Sequence, residues 1–241
     1  MRILLINPNT SAAITDLVAG HVRAQLGDQA ELRAVTGRFG ARYIASRSAA
    51  AIAGHAALDA LAEHEAGCDA VYLACFGDPG LFALREVARA PVVGMAEAAC
   101  QEAAARGPFG IVTGGAAWEP MLREFVAALG LADRLAAIRT VAPSGAAIAR
   151  DPDAALAGLA EACGSCAEAG AATVILGGAG LAGLAARLAL RVPCPLICSV
   201  QAGTRSVLAA ARGAARMRQA PAPVETTGLA PALAARMANP G

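Results

Sequence analysis

The sequence predicts an α/β fold of two pseudo-symmetric lobes, each a mainly parallel sheet flanked by helices, with the functional site in the cleft between them. Three observations carry this expectation. Short apolar runs alternate with alanine-rich stretches of helical spacing, the pattern of strands joined by crossover helices. Residues 70–81 (Ala-Val-Tyr-Leu-Ala-Cys-Phe-Gly-Asp-Pro-Gly-Leu) form a buried-strand run that breaks into a glycine turn, and residues 173–184 (Thr-Val-Ile-Leu-Gly-Gly-Ala-Gly-Leu-Ala-Gly-Leu) repeat that plan. Each copy then leads into a strand headed by proline, Pro91-Val-Val-Gly-Met and Pro195-Leu-Ile-Cys-Ser. The echo sets Gly178 at the place of Cys75.

The elements follow in order. Residues 3–6 are continuously apolar and stop at Asn7-Pro8, which reads as a first strand, and a helix over 11–25 starts behind a Thr10 or Ser11 cap. A further strand falls near 31–36, and 46–65 carries Ile and Leu at helical spacing. Strands at 70–74 and 92–95 flank a glycine turn and an apolar helix. Helices over 97–106, 119–128 and 153–169, with strands at 110–113, 173–176 and 196–198, complete the alternation. Strands 3–6 and 110–113 make the second matched pair of the repeat. Runs this apolar belong to a parallel sheet covered on both faces. Lobe 1 is expected over 1–97 and takes back 208–241, whose proline-rich start leads to a last short helix; lobe 2 spans 98–207. Ligands bind at the carboxyl ends of such strands, here the turns at 7–10, 75–80, 113–117, 177–180 and 198–203.

Composition narrows the chemistry. With 241 residues, 56% of them hydrophobic, the chain can bury a core of ordinary size. Twenty basic and 19 acidic residues are interspersed, so there is no basic stripe for phosphate contacts and nucleic acid is excluded as a partner. Every one of the 20 basic residues is arginine. Without lysine there is no Schiff base, no pyridoxal-phosphate chemistry and no P-loop, which favours a cofactor-free mechanism. An odd count of seven cysteines, behind a start that reads as strand and turn, points to a reducing, cytoplasmic setting. The uncharged stretch 169–186 is diluted by glycine and alanine and reads as strand, turn and helix, not as a membrane span. Packed alanine-rich helices are compatible with a homo-oligomer.

Among candidate functional residues, Cys75 stands out. It ends a strand and precedes Phe-Gly-Asp-Pro-Gly, a turn that leaves backbone N–H groups beside a helix start, where a thiol ionises more readily and an anion is cradled. Gly178-Ala-Gly-Leu-Ala-Gly183 matches the dinucleotide fingerprint in letters, yet no acidic residue lies between Glu168 and Glu225 to hold a ribose. Those glycines read instead as close backbone approach to a small substrate. Cys163-Gly-Ser-Cys166 lies inside a helical stretch and reads as packing. Cys198 ends a strand near the cleft. His21, His55 and His64 lack ligand spacing, so no metal site is expected.

The runs Ile6-Asn-Pro-Asn-Thr-Ser11, Leu73-Ala-Cys-Phe-Gly-Asp-Pro-Gly-Leu81, Pro91-Val-Val-Gly-Met-Ala-Glu-Ala-Ala99 and Ile175-Leu-Gly-Gly-Ala-Gly-Leu181 together resemble the aspartate/glutamate/hydantoin racemase superfamily, above all its hydantoin and allantoin racemase branch. That resemblance implies a two-lobed, cofactor-independent isomerase in which paired cysteines face opposite sides of a stereocentre. One thiolate removes the proton α to a carbonyl and the other thiol returns one. In that branch the second motif carries a cysteine where this chain has Gly178, and loss of a general acid or base costs about 10²- to 10⁴-fold.

Four readings of the glycine stay open at this point. Cys198, standing where relatives tend to have Asp, supplies the second proton; or one face suffices, as in the related arylmalonate decarboxylases; or the glycine is an engineered change that traps substrate; or the protein only binds its ligand. The resemblance and the turns together nominate Cys75 as acid/base thiol and Cys198 as its weaker partner. Asn7, Tyr43, Phe76, Gly77, Thr113, Gly178, Ala179 and Gly180 are nominated to bind a small-molecule substrate. The amides after Cys75 and Gly178, with Asn7 and Thr113, would hold the enolate oxygen and the polar ring, and Tyr43 and Phe76 would wall the pocket.

Overall fold

The computed structural model describes residues 1–142, 145–213 and 221–239. In chain order the elements are β1 (Arg2–Asn7), α1 (Ala12–Leu26), β2 (Glu31–Thr36), α2 (Arg47–His64), β3 (Ala70–Leu73), α3 (Leu81–Val87), β4 (Val92–Gly94), α4 (Met95–Ala104), β5 (Phe109–Gly114), α5 (Trp118–Ala128), β6 (Leu135–Val141), α6 (Gly145–Arg150), α7 (Pro152–Glu168), β7 (Thr173–Gly177), α8 (Leu184–Leu188), β8 (Leu196–Cys198), α9 (Ser199–Arg212) and α10 (Pro231–Ala238). They divide into two compact units. Unit 1 comprises Met1–Ala74, Asp78–Gly94 and the described residues of Thr204–Gly241, and unit 2 comprises Cys75–Gly77 and Met95–Gly203 with the same restriction.

Unit 1 holds a four-stranded, all-parallel sheet in the order β2-β1-β3-β4. Its central strands are the most apolar segments of the chain, and Ile3, Leu4, Leu5, Ile6, Val71, Tyr72 and Leu73 are all fully buried, as expected where helices cover both faces. α1 buries Thr15, Val18, Ala19, Val22 and Leu26, a stripe at helical spacing. α2 starts behind Ser46, whose side chain accepts from the Ala49 amide at 3.1 Å and so satisfies one orphan donor of the first turn. Asp59 of α2 is buried because Arg38 closes on both its oxygens, at 2.8 and 2.7 Å.

Unit 2 repeats the plan with the order β6-β5-β7-β8, again all parallel. β5 takes the part of β1 and β7 that of β3, as the internal echo requires. α7 begins with Asp151 accepting from Ala154 and with Pro152 at its first position, where a missing N–H costs nothing. Its inner face carries Cys163 and Cys166 into a buried cluster with Val112, Leu159, Val174 and Leu176. This is the helix-face packing that the sequence suggests for the Cys-x-x-Cys pair.

Two features differ from expectation. β6 has no counterpart among the predicted strands; its Leu-Ala-Ala-Ile-Arg-Thr-Val run is broken by Arg139, which leaves the strand to bond Ser165 Oγ at 2.9 Å. The expected turn at 198–203 is helix instead, because β8 runs directly into α9 and buries Val200, Ala202 and Thr204. Among the described residues, no helix is long and apolar enough to cross a membrane, and no group of three or more His, Cys, Asp or Glu side chains is placed to hold a metal ion.

Candidate active site

Unit 2 gathers three strand-end segments: Cys75–Gly77, the end of β5 and the end of β7. Cys75 is half-buried. Phe76, next to it, is 5% exposed and packs its ring against Gly177, where a methyl group would overlap that ring. Gly77, at φ 110°, meets the Trp118 ring so closely that a methyl group there would also overlap. Both glycines are needed for these close approaches. They fix the short segment after β3 between the aromatic start of α5 and the end of β7. Asp78 follows with φ 46° and Gly80 with φ 83°, so the backbone passes through left-handed conformations before α3 begins.

At the end of β5, Thr113 is buried and its hydroxyl donates to the Gly177 carbonyl at 2.8 Å. At the end of β7, Gly178 adopts φ 120° and ψ 153°, a region essentially reserved for glycine. Its amide donates to Ser199 Oγ at 3.1 Å. A methyl group on Gly178 would have Thr113 Oγ1 at 3.8 Å and Leu181 Cδ1 at 4.0 Å as its nearest neighbours, so space for a side chain exists while the backbone disfavours one. Ala179 and Gly180 then enter a 3-10 turn, closed by the Leu181 amide on the Gly178 carbonyl at 3.1 Å. α8 spans only Leu184–Leu188, so Gly178–Gly183 opens no helix able to seat a pyrophosphate as a dinucleotide fingerprint does.

Four backbone amides in this region, those of Phe76, Gly77, Ala179 and Gly180, donate to no acceptor among the described residues. N–H groups left over at strand ends are the usual material of an oxyanion site.

The other nominated residues fall as follows. Asn7 belongs to unit 1 and is fully buried; its amide nitrogen donates to Asn9 Oδ1 at 2.9 Å, Thr15 Oγ1 at 2.9 Å and the Ser11 carbonyl at 3.2 Å, while its oxygen accepts from the Asn9 amide. Those bonds shape the loop after β1. Tyr43, also in unit 1, is half-buried. Cys198 is 4% exposed and pairs in register with Leu176, so it shares the sheet face that Leu176 turns toward the cluster beneath α7. Two contributors escaped sequence reasoning. Ser199 follows the chemically louder Cys198, and Trp118, the only tryptophan, sits where a strand-end turn meets a helix.

None of the seven cysteines forms a disulfide. Burial pushes the Cys163 thiol up to about 12 and the Cys166 thiol up to about 11, and it also raises those of Cys68 and Cys194. These four stay protonated near neutral pH, and Cys100 and Cys198 are buried. Brief iodoacetamide treatment at pH 8, read by peptide mass spectrometry, is therefore expected to label Cys75 first. Labelling of Cys68 or Cys194 ahead of Cys75 would contradict this.

The repeated parallel α/β plan thus places a half-buried cysteine and unclaimed amides at strand ends of unit 2. The family model for Asp/Glu/hydantoin racemase matches residues 3–207, and the chain belongs to that family. It is 35% identical over 209 residues to the hydantoin racemase of Paenarthrobacter aurescens, covering 85% of this chain and 89% of that protein. Among solved structures, the allantoin racemase from Klebsiella pneumoniae superposes with a TM-score of 0.81 at 33% identity, over 87% of this chain and 86% of that one. The allantoin racemase from Pseudomonas fluorescens gives 0.84 at 29% identity, over 88% and 91%.

Proposed function

We propose that this protein is a cofactor-independent racemase or epimerase acting at a carbon α to a carbonyl in a hydantoin, allantoin or a related amino-acid derivative. The observation that carries the reading is the placement of the Cys75–Gly77 segment against Gly177, beside Thr113 and Gly178, in a chain of this family. Cys75, as thiolate, takes the α-proton. The electron pair of the broken C–H bond moves onto the carbonyl oxygen, and the resulting enolate accepts hydrogen bonds from the amides of Phe76 and Gly77 or of Ala179 and Gly180. Such donors, fixed before the reaction, stabilise developing charge by several kcal/mol. Return of a proton to carbon completes the cycle.

The Thr113 hydroxyl spends its one hydrogen on Gly177, so in this reading it orders the turn rather than donating to the enolate. Phe76 serves as an apolar wall. Gly178 has no side chain to protonate the second face, and Cys198 is the remaining thiol at this end of unit 2. Cys198→Ser tests that role directly: loss of racemisation with α-proton exchange intact assigns it, and unchanged racemisation assigns the second face to solvent. The chemistry needs a reduced thiol, which suits the cytoplasm.

The test is a panel of single-enantiomer 5-substituted hydantoins, allantoin and N-carbamoyl amino acids, with enantiomeric excess followed by chiral chromatography. At least one cyclic ureide is expected to racemise faster than in buffer. A panel in which none does, while an α-substituted malonate is decarboxylated to one enantiomer, would replace this reading by one-cysteine decarboxylation.

A further inference from the structure

The peptide joining Gly177 and Gly178 is held by a hydroxyl at each end. Its carbonyl accepts from Thr113 Oγ1 at 2.8 Å, and its N–H donates to Ser199 Oγ at 3.1 Å. Thr113 is 5% exposed and Ser199 is fully buried. A peptide between two glycines is the joint in a chain that rotates most readily, since neither neighbour has a Cβ to resist. The structure holds it in one orientation, with Gly178 at φ 120°, by side chains from the two strands that flank β7: Thr113 on β5 and Ser199 directly after β8. The amides of Ala179 and Gly180 follow this peptide at once, so their direction depends on it.

We propose that Thr113 and Ser199 form a hydroxyl clamp that sets the β7 turn for catalysis, and that Ser199 is a positioning residue for the reaction. This rests on the reading of Ala179 and Gly180 as enolate donors. Full burial keeps Ser199 from the substrate itself, so its influence passes through Gly178. A donor aimed at charge that develops only in the transition state affects turnover more than ground-state binding. Removing one such donor outright costs about 10²- to 10³-fold, and loosening the peptide that aims it should cost less, about 10-fold.

The experiment uses the full-length protein with Ser199→Ala, Ser199→Thr, Thr113→Val and the Ser199→Ala/Thr113→Val double variant. On whichever hydantoin or allantoin enantiomer the wild type turns over, Ser199→Ala is expected to lower kcat about 10-fold while KM changes less than about 2-fold. Ser199→Thr, which keeps the acceptor oxygen, restores kcat. The double variant falls short of the product of the two single losses, because both residues act on one peptide. Amide hydrogen exchange by NMR reads the clamp without turnover: the Gly178 amide exchanges faster in Ser199→Ala, while those of Ile111 and Val112 in β5 do not change. Unaltered Gly178 exchange overturns the clamp even if the protein proves inactive on every candidate. Altered exchange without any turnover upholds the clamp and removes the racemase reading. Faster exchange with kcat preserved, or equal losses in Ser199→Ala and Ser199→Thr, overturns the positioning role.

Discussion

Cys75→Ser is expected to lower α-proton exchange by about 10³- to 10⁴-fold, at the upper end of what one general acid or base contributes. A hydroxyl in the same place keeps the volume and the turn, but it is too weakly acidic to exist as the conjugate base near neutral pH. Cys163 and Cys166 cannot take over: burial holds them protonated, with thiols pushed up to about 12 and 11, and they lie in the cluster under α7. The rest of the site does not depend on the sulfur. Phe76 still lies on Gly177, and the amides of Phe76 and Gly77 stay where they are. KM should therefore move far less than kcat, and melting temperature by no more than about 2 °C, since a near-isosteric change at a half-buried site costs little. Comparison of single-turnover exchange rates with thermal melts checks both halves. Loss of folding in place of loss of chemistry would give Cys75 a structural role.

Arg236→Ala is expected to destabilise unit 1 strongly. Within unit 1, Glu65 is 3% exposed and Arg236 of α10 is 8% exposed. Glu65 Oε1 accepts from the Arg89 and Ala90 amides at 2.6 and 2.8 Å, and its Oε2 faces Arg236 Nη1 at 2.5 Å. The same nitrogen donates to the Val87 carbonyl at 2.9 Å. This one ion pair fastens α10 to the end of α2 and to the β4 approach. Removing one partner leaves a buried charge uncompensated, which costs about 3–5 kcal/mol. For a chain of this length that corresponds to roughly 10 °C in Tm. Glu65→Gln/Arg236→Met, which removes both charges, should recover part of the loss, whereas a Tm for Arg236→Ala within about 2 °C of wild type would show that α10 is held by apolar contacts such as Leu233.

The sheet cores were legible because their chemistry is one-dimensional: Ile3–Ile6 and Val71–Leu73 are apolar without interruption, and only a strand buried on both faces has use for that. β6 was not legible, since two of its seven residues are alanine and its one strong signal, Arg139, is polar for a reason that lies on α7. The place of Cys75 at a strand end could be read from the turn residues that follow it. Ser199 could not, because its role depends on β8 lying next to β7 and on the direction of one amide, neither of which a sequence records.

Gly178 shows both sides of this. Its match to Cys75 was visible in the repeat, but the glycine-only backbone was not. Gly178→Cys is accordingly expected to cost about 1–3 kcal/mol in stability although the side chain has room, and urea denaturation measures this.

The central claim is that Cys75 removes the α-proton of the substrate. The most direct measurement follows proton NMR and optical rotation together, in deuterium oxide, for single-enantiomer hydantoins and allantoin with the wild-type protein. Deuterium entering the α-position as rotation decays, with both absent in Cys75→Ser, is the result this account predicts. No exchange with any of these compounds, or exchange that survives in Cys75→Ser, would contradict it.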